Sequence, residues 1–289
     1  MHPLRSTSLL LVVCLLAPSC ADPIAERTVS STAEESVTTT PSVSPRYLGP
    51  DERWAPPVHH EGGLVVMPIT FPDGTTAELR YPPELSLEER FNVYPDTFAA
   101  GGPQACGSSV HATRHDPRVG FVIGSDPLAR FTRQDGSIAE LWDGEPLSEP
   151  HDYLLFRFDS WTVVVPCRWH GDWDREEVSV WSENVHGHES PDGMLVLTAT
   201  PPLEVHPHGG TYGPTVRFSN EDLVLDLTVG PDACRERSND RGLGDDTVQW
   251  CIQPSGGIWL YATMFTAKAE KLLQGIVEDL QVLGVRSPS

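Results

Sequence analysis

Basic residues are scarce in this chain. Its 289 residues include 20 Lys and Arg against 41 Asp and Glu, a formal net charge of −21. So acidic a surface repels phosphate backbones and anionic lipid headgroups, which argues against nucleic-acid binding and against direct adsorption to an acidic membrane. Long apolar runs are also missing. The run near the N-terminus, Leu9 to Leu16, has eight residues, well short of the roughly 20 a helix needs to cross a bilayer. None of the 6 cysteines forms a CxxC pair, so thiolate zinc binding is disfavoured. There is no GxSxG nucleophile elbow, no phosphate-binding glycine loop and no dinucleotide fingerprint. His188-Glu189-Ser190-Pro191-Asp192 opens like a zincin helix, but the second His is missing and Pro191 interrupts it. Asp172-Trp173-Asp174-Arg175-Glu176 alternates acids as a calcium loop does, without that loop's Gly or distal Glu. Acids at a helix N-terminus, favoured by its dipole, are the simpler explanation.

What is present starts with an export signal over residues 1–19: Arg5, the apolar run, and small residues around Cys20. Leu16-Ala17-Pro18-Ser19-Cys20 resembles the lipobox of bacterial lipoproteins, with Ala17 where that family prefers Leu. The resemblance covers this segment alone. It implies that Cys20 becomes the lipid-modified first residue of a chain held at the outer face of the bacterial cytoplasmic membrane. The alternative is ordinary signal peptidase acting at Ser19-Cys20-Ala21, which releases a soluble protein. Residues 20–47 are rich in Ser, Thr, Pro and Glu and have no aromatic residue before Tyr47. Too little apolar surface is available there to offset the entropy of ordering, so a disordered tether is expected.

From residue 48 onward the composition is globular and includes all 8 Trp. The pattern predicts an α+β fold, mainly antiparallel sheet with at least two helices. GLVVMPITF and TTAELRYP flank Pro72-Asp73-Gly74, and DYLLFRF and WTVVVPC flank Asp159-Ser160; each pair is a hairpin. Asp174 reads as an N-cap with Glu177 completing a capping box. Val178, Trp181 and Val185 then lie on one helical face, Gly187 stops the helix, and MLVLTAT is a strand. The order returns with hairpins around Asn220-Glu221 and Pro254-Ser255-Gly256. A helix from Thr266 follows, with Leu272, Leu273, Ile276, Val277 and Leu280 as its stripe, and LQVLGV closes. This suggests two related halves, 48–212 and 213–289, each a hairpin-hairpin-helix-strand unit; chance recurrence of common α+β elements is the alternative. The first half carries a long insertion from Glu84 to Pro150, including the loop-rich NVYPDTFAAGGPQACG.

In an oxidising compartment Cys106, Cys167, Cys234 and Cys251 are disulfide candidates. Pairing Cys234 with Cys251 closes a short polar loop and leaves Cys106 for Cys167. The histidines supply the one candidate for chemistry. His186-Gly187-His188 is placed at the C-terminal end of the first helix, where an imidazolium suits the dipole. A strand separates that pair from His206-Pro207-His208. Chain reversal brings His206 and His208 to the open end of the Asp159-Ser160 hairpin, beside His151 and His170, with Tyr153 opposite Pro166. His111, His115, Asp116 and Asp172 fall nearby. Imidazoles with a carboxylate (His151, His170, His206, His208, Asp172) are what a zinc or copper site requires, whereas solvated loop histidines are the ordinary alternative. The expected role is therefore a lipid-anchored extracytoplasmic domain that binds or scaffolds an envelope or extracellular partner. A secreted metal-dependent enzyme or metal carrier is the competing reading.

Overall fold

Hairpins with alternating apolar residues build most of the structure. The computed structural model describes residues 48, 52–101, 106–107, 110–116, 126–144, 152–167, 174–207, 213–230, 248–255 and 257–288, all within one compact unit, Ser44–Ser289. In chain order the first elements are β1 (His59–Glu61), β2 (Leu64–Thr70), β3 (Thr76–Tyr81), α1 (Leu87–Arg90), β4 (Asn92–Gly101), β5 (Val110–Thr113), β6 (Ala129–Thr132) and β7 (Ile138–Trp142). Next come β8 (Asp152–Phe158), β9 (Trp161–Cys167), α2 (Arg175–Asn184), β10 (Val185–Glu189), β11 (Leu195–Ala199) and β12 (Leu203–Pro207). The chain ends with β13 (Thr215–Ser219), β14 (Leu223–Val229), β15 (Val248–Ser255), β16 (Ile258–Met264), α3 (Glu270–Asp279) and β17 (Gln281–Arg286).

The fold is thus largely antiparallel sheet with short helices. Each of the four expected hairpins pairs, and Tyr153 stands opposite Pro166. A large sheet runs β15-β16-β14-β13-β4-β5-β9-β8-β7-β6, with β12 also on β4. A second sheet runs β1-β2-β3-β17, and β10 pairs only with β11 among the described residues. In β14, Leu223, Leu225 and Leu227 face one core, and Asp226 and Thr228 the opposite face, as a two-residue period requires. The small sheet and α3 cover one half of the large sheet; Leu273 and Ile276 of α3 are buried in that core. The α2 helix and the β10–β11 hairpin cover the other half. Both cores lie on the same face of the large sheet. Val110 of the second core pairs opposite Thr97, four residues along β4 from Val93 of the first.

Two expectations need correction. The segment NVYPDTFAAG is not a loop but β4, the strand that joins the two halves of the large sheet. Pro95 disguised it, because proline is expected at sheet edges. Here the ladder to β5 covers only Asp96 and Thr97, so the missing N–H of Pro95 falls where that ladder stops. Second, α2 ends at Asn184 and Gly187 lies within β10, so His186 and His188 are strand residues opposite Thr198 and Val196. A Cβ on Gly187 would come within 2.7 Å of the Phe158 ring, so close packing explains this glycine better than a helix cap. The expected strand in MLVLTAT is present as β11, paired with β10 in the small hairpin, and β12 is the strand that returns to β4 of the large sheet. The duplication of the two units is not confirmed, and their strands are paired differently. The closing strand β17 pairs with β3 of the first unit, and the hairpins β13–β14 and β15–β16 are neighbours in one sheet while β2–β3 and β8–β9 lie in different sheets. The proposed boundary at 212/213 falls between β12 and β13, which lie end to end along β4.

Gly213, two residues before β13, has a tighter constraint than any cap. A Cβ there would sit 1.2 Å from the Val229 carbonyl oxygen, a backbone atom that moves only if β14 moves. Gly213→Ala should therefore lower unfolding free energy by about 2–3 kcal/mol, as overpacking does. Urea denaturation measures it, and a midpoint equal to that of the parent would contradict the close approach.

Candidate functional site

A cleft of about 530 Å³ opens where β11 and β12 part company. Thr200-Pro201-Pro202-Leu203 forms a tight turn with a cis bond between the prolines and a hydrogen bond from Leu203 N–H to the Thr200 carbonyl, 3.0 Å. The strands entering and leaving it are claimed by different partners, β11 by β10 and β12 by β4. They diverge, and the wedge between them is the cleft. Leu197 and Ala199 form one wall, Leu203 and Val205 the other, and Pro72, Asp73 and Pro214 narrow it. Leu197 N–H donates to the Pro72 carbonyl at 2.9 Å, which holds the β2–β3 turn against β11. The apolar walls with a few polar groups match the usual character of a ligand site.

The polar side chains are Thr198 and three carboxylates. Asp73, Asp96 and Glu204 line the cleft, and no basic side chain does among the described residues. Asp73 also builds its own turn, accepting from Thr75 N–H and Thr75 Oγ1, both at 2.9 Å. Asp96 is 8% exposed and pairs with Arg217, Nη2 to Oδ2 2.8 Å. Arg217 in turn donates to both oxygens of Asp226, at 2.7 and 2.9 Å. Register explains the meeting: Tyr94, Arg217 and Asp226 stand opposite one another on β4, β13 and β14, and Asp96 follows Tyr94 by one period on the same face. Burial alone would lower the Arg217 pKa, but the hydrogen bonds and charge of Asp226, then the charge of Asp96, outweigh it and raise it further. Burial raises the Tyr94 pKa, opposed by Arg217 and Ser219. Asp96 thus connects the cleft lining to the buried Arg217–Asp226 pair.

A second cluster, missed in the sequence, braces the β10–β11 turn. The Arg114 guanidinium stacks 4.0 Å above the Trp54 ring and 4.8 Å from that of Trp161, and the two indoles meet edge to face at 5.1 Å. Arg114 also pairs with Glu189 at 2.9 Å and donates to the Gly193 carbonyl at 2.6 Å, which Trp161 Nε1 shares at 2.9 Å. Ser160 Oγ donates to the same Glu189 carboxylate. Burial lowers the Arg114 pKa, and Glu189 opposes it. Residues 54, 114, 161 and 189 share no local pattern, so nothing in sequence spacing signals the cluster.

The histidine candidates divide differently. His206 is on β12, its backbone opposite Phe98, while His151, His170, His208 and Asp172 lie outside the described residues. His111 stands on β5, opposite Asp96 on one side and Val164 on the other. His186 Nε2 lies 3.5 Å from Thr200 Oγ1. Among the described residues no group of three or more His, Cys, Asp or Glu side chains is placed to hold a metal. A disulfide joins Cys106 to Cys167, and Cys251 is disulfide-bonded; Cys234 and Cys20 lie outside the described residues. Among the described residues no helix is long and apolar enough to cross a membrane. No family model matches the chain, and neither does any curated protein or solved structure.

Proposed function

We propose that this chain is an exported, lipid-anchored binding domain whose ligand carries positive charge and enters the cleft between β11 and β12. The cleft is the observation that carries the reading. Its apolar walls supply contact area, and Asp73, Asp96 and Glu204 select a cation in a chain already acidic overall. The Cys106–Cys167 disulfide supports an oxidising compartment, and the lipobox-like segment ending at Cys20 supports an anchor there.

Two measurements test it. Wild-type protein should partition with membranes and Cys20→Ala should stay uncleaved or be shed; a soluble wild-type chain beginning at Asp22 would end the anchoring half of the reading. For the cleft, lysine-rich peptides should raise the melting temperature of the folded domain, glutamate-rich peptides should not, and Glu204→Lys should abolish the response. Equal responses to both peptide charges would remove the cationic ligand.

A further inference from the structure

The strand β12 has only β4 as a partner among the described residues, whereas β13, in line with it, is paired on both sides by β4 and β14. The direction of its backbone groups follows from β4. Val93 N–H points away from β13 and donates to the Trp54 carbonyl at 2.7 Å. Even-numbered residues of β4 therefore turn their peptide groups toward β12 and β13, since directions alternate along a strand. Glu204 and His206, opposite Ala100 and Phe98, use theirs on β4, and Leu203 and Val205 face outward. Leu203 N–H is taken by the turn, in agreement with that assignment. Val205 thus turns its N–H and carbonyl outward, where no strand pairs with it among the described residues, and it lines the cleft. Pro207, which has no N–H, ends the strand.

The position beside β12 continues the line of β14. That strand stops at Val229, where its N–H bonds the Pro214 carbonyl at 3.0 Å, and Pro214 forms the adjoining end of the cleft. The slot is thus a strand position in an antiparallel sheet, walled by Leu197 and Ala199 and rimmed by Asp73, Asp96 and Glu204.

We infer that the cleft takes an extended, lysine- or arginine-bearing polypeptide segment, which adds to the large sheet as a strand paired antiparallel with β12. Main-chain pairing with Val205 supplies the hydrogen bonds, alternate side chains meet the apolar walls, and basic side chains meet the carboxylate rim. This is the strand-addition mode of peptide recognition, used on an edge that would otherwise invite unspecific pairing. The inference rests on the cleft being the ligand site.

The probe is an acetylated, amidated heptapeptide alternating lysine and valine, titrated into the full folded domain and followed by amide hydrogen exchange. Saturable binding is expected, with exchange of the Val205 amide slowed at least tenfold. Two further peptides of the same sequence carry N-methyl groups on either the lysines or the valines. At least one should bind about tenfold or more weakly, the effect of roughly one lost hydrogen bond. If both methylated peptides bind like the parent and Val205 exchange is unchanged, strand addition is overturned while a cationic side-chain site survives. If no lysine-bearing peptide binds, the cleft reading falls with it.

Discussion

Arg217→Met should be among the most damaging single substitutions in the large sheet. It leaves Asp226, 2% exposed, and Asp96, 8% exposed, facing each other without the guanidinium that holds both. Removing one partner of a buried pair costs about 3–5 kcal/mol. Arg217 keeps some exposure, with 26% of its side chain accessible, so the lower end of that range, about 3 kcal/mol, is expected. The pH profile carries the diagnosis. In the variant, desolvation and mutual repulsion raise the folded-state pKa of the two carboxylates above their unfolded values. A group raised in this way contributes stability below its unfolded pKa and loses it as pH rises through the folded one. Mild acid should therefore restore part of what Arg217→Met removes. The parent should show no such recovery, because its arginine, with a pKa raised above an already high value, stays charged throughout. Adding Asp226→Leu and Asp96→Asn to the variant should recover stability at neutral pH. Denaturation curves at pH 5 and pH 7.5 decide it, and parallel losses at both would mean that the cost is packing and not charge.

Trp161→Ala should cost as much, about 3–5 kcal/mol, the range for truncating a large buried aromatic. Trp161 is 2% exposed in the second core, and its ring carries the edge contact to Trp54 and part of the stack with Arg114. Its Nε1 also reaches the Gly193 carbonyl, so the substitution releases the β10–β11 turn at the same time. Trp161→Phe keeps most of the area and loses the hydrogen bond, and should cost roughly 1–2 kcal/mol. The near-ultraviolet circular dichroism of the indoles should fall with Trp161→Ala well beyond a one-eighth share of the 8 tryptophans, because Trp54 loses its fixed neighbour. A small change in both stability and spectrum would contradict the clamp.

Local pairing was legible from the residues because the information is local. Pro72-Asp73-Gly74 and Asp159-Ser160 are turns whose flanking apolar residues alternate, and alternation with turn length sets the register, as Tyr153 opposite Pro166 shows. The cap at Asp174, which accepts from the Glu176 and Glu177 amides, follows equally from neighbours in sequence. Misreadings arose where a local rule met a nonlocal partner. NVYPDTFAAG read as loop because Pro95 is unusual inside a sheet and the strands that flank it, β5 and β13, are not its neighbours in sequence. Gly187 looked like a helix stop because nothing beside it in sequence reveals the Phe158 ring.

By itself, then, the sequence determined the hairpins, the apolar faces of α2 and α3, and the acidic balance that any partner must meet, since each depends on residues a few positions apart or on composition alone. Tertiary structure decided the rest. The Asp96–Arg217–Asp226 network needs β4 and β14 brought to either side of β13, and the Arg114 clamp needs four segments to converge. The cleft exists because β11 and β12, neighbours through a four-residue turn, are drawn into different sheets by distant strands. Such competition for partners depends on which strands lie within reach in the folded chain, and no periodicity encodes it.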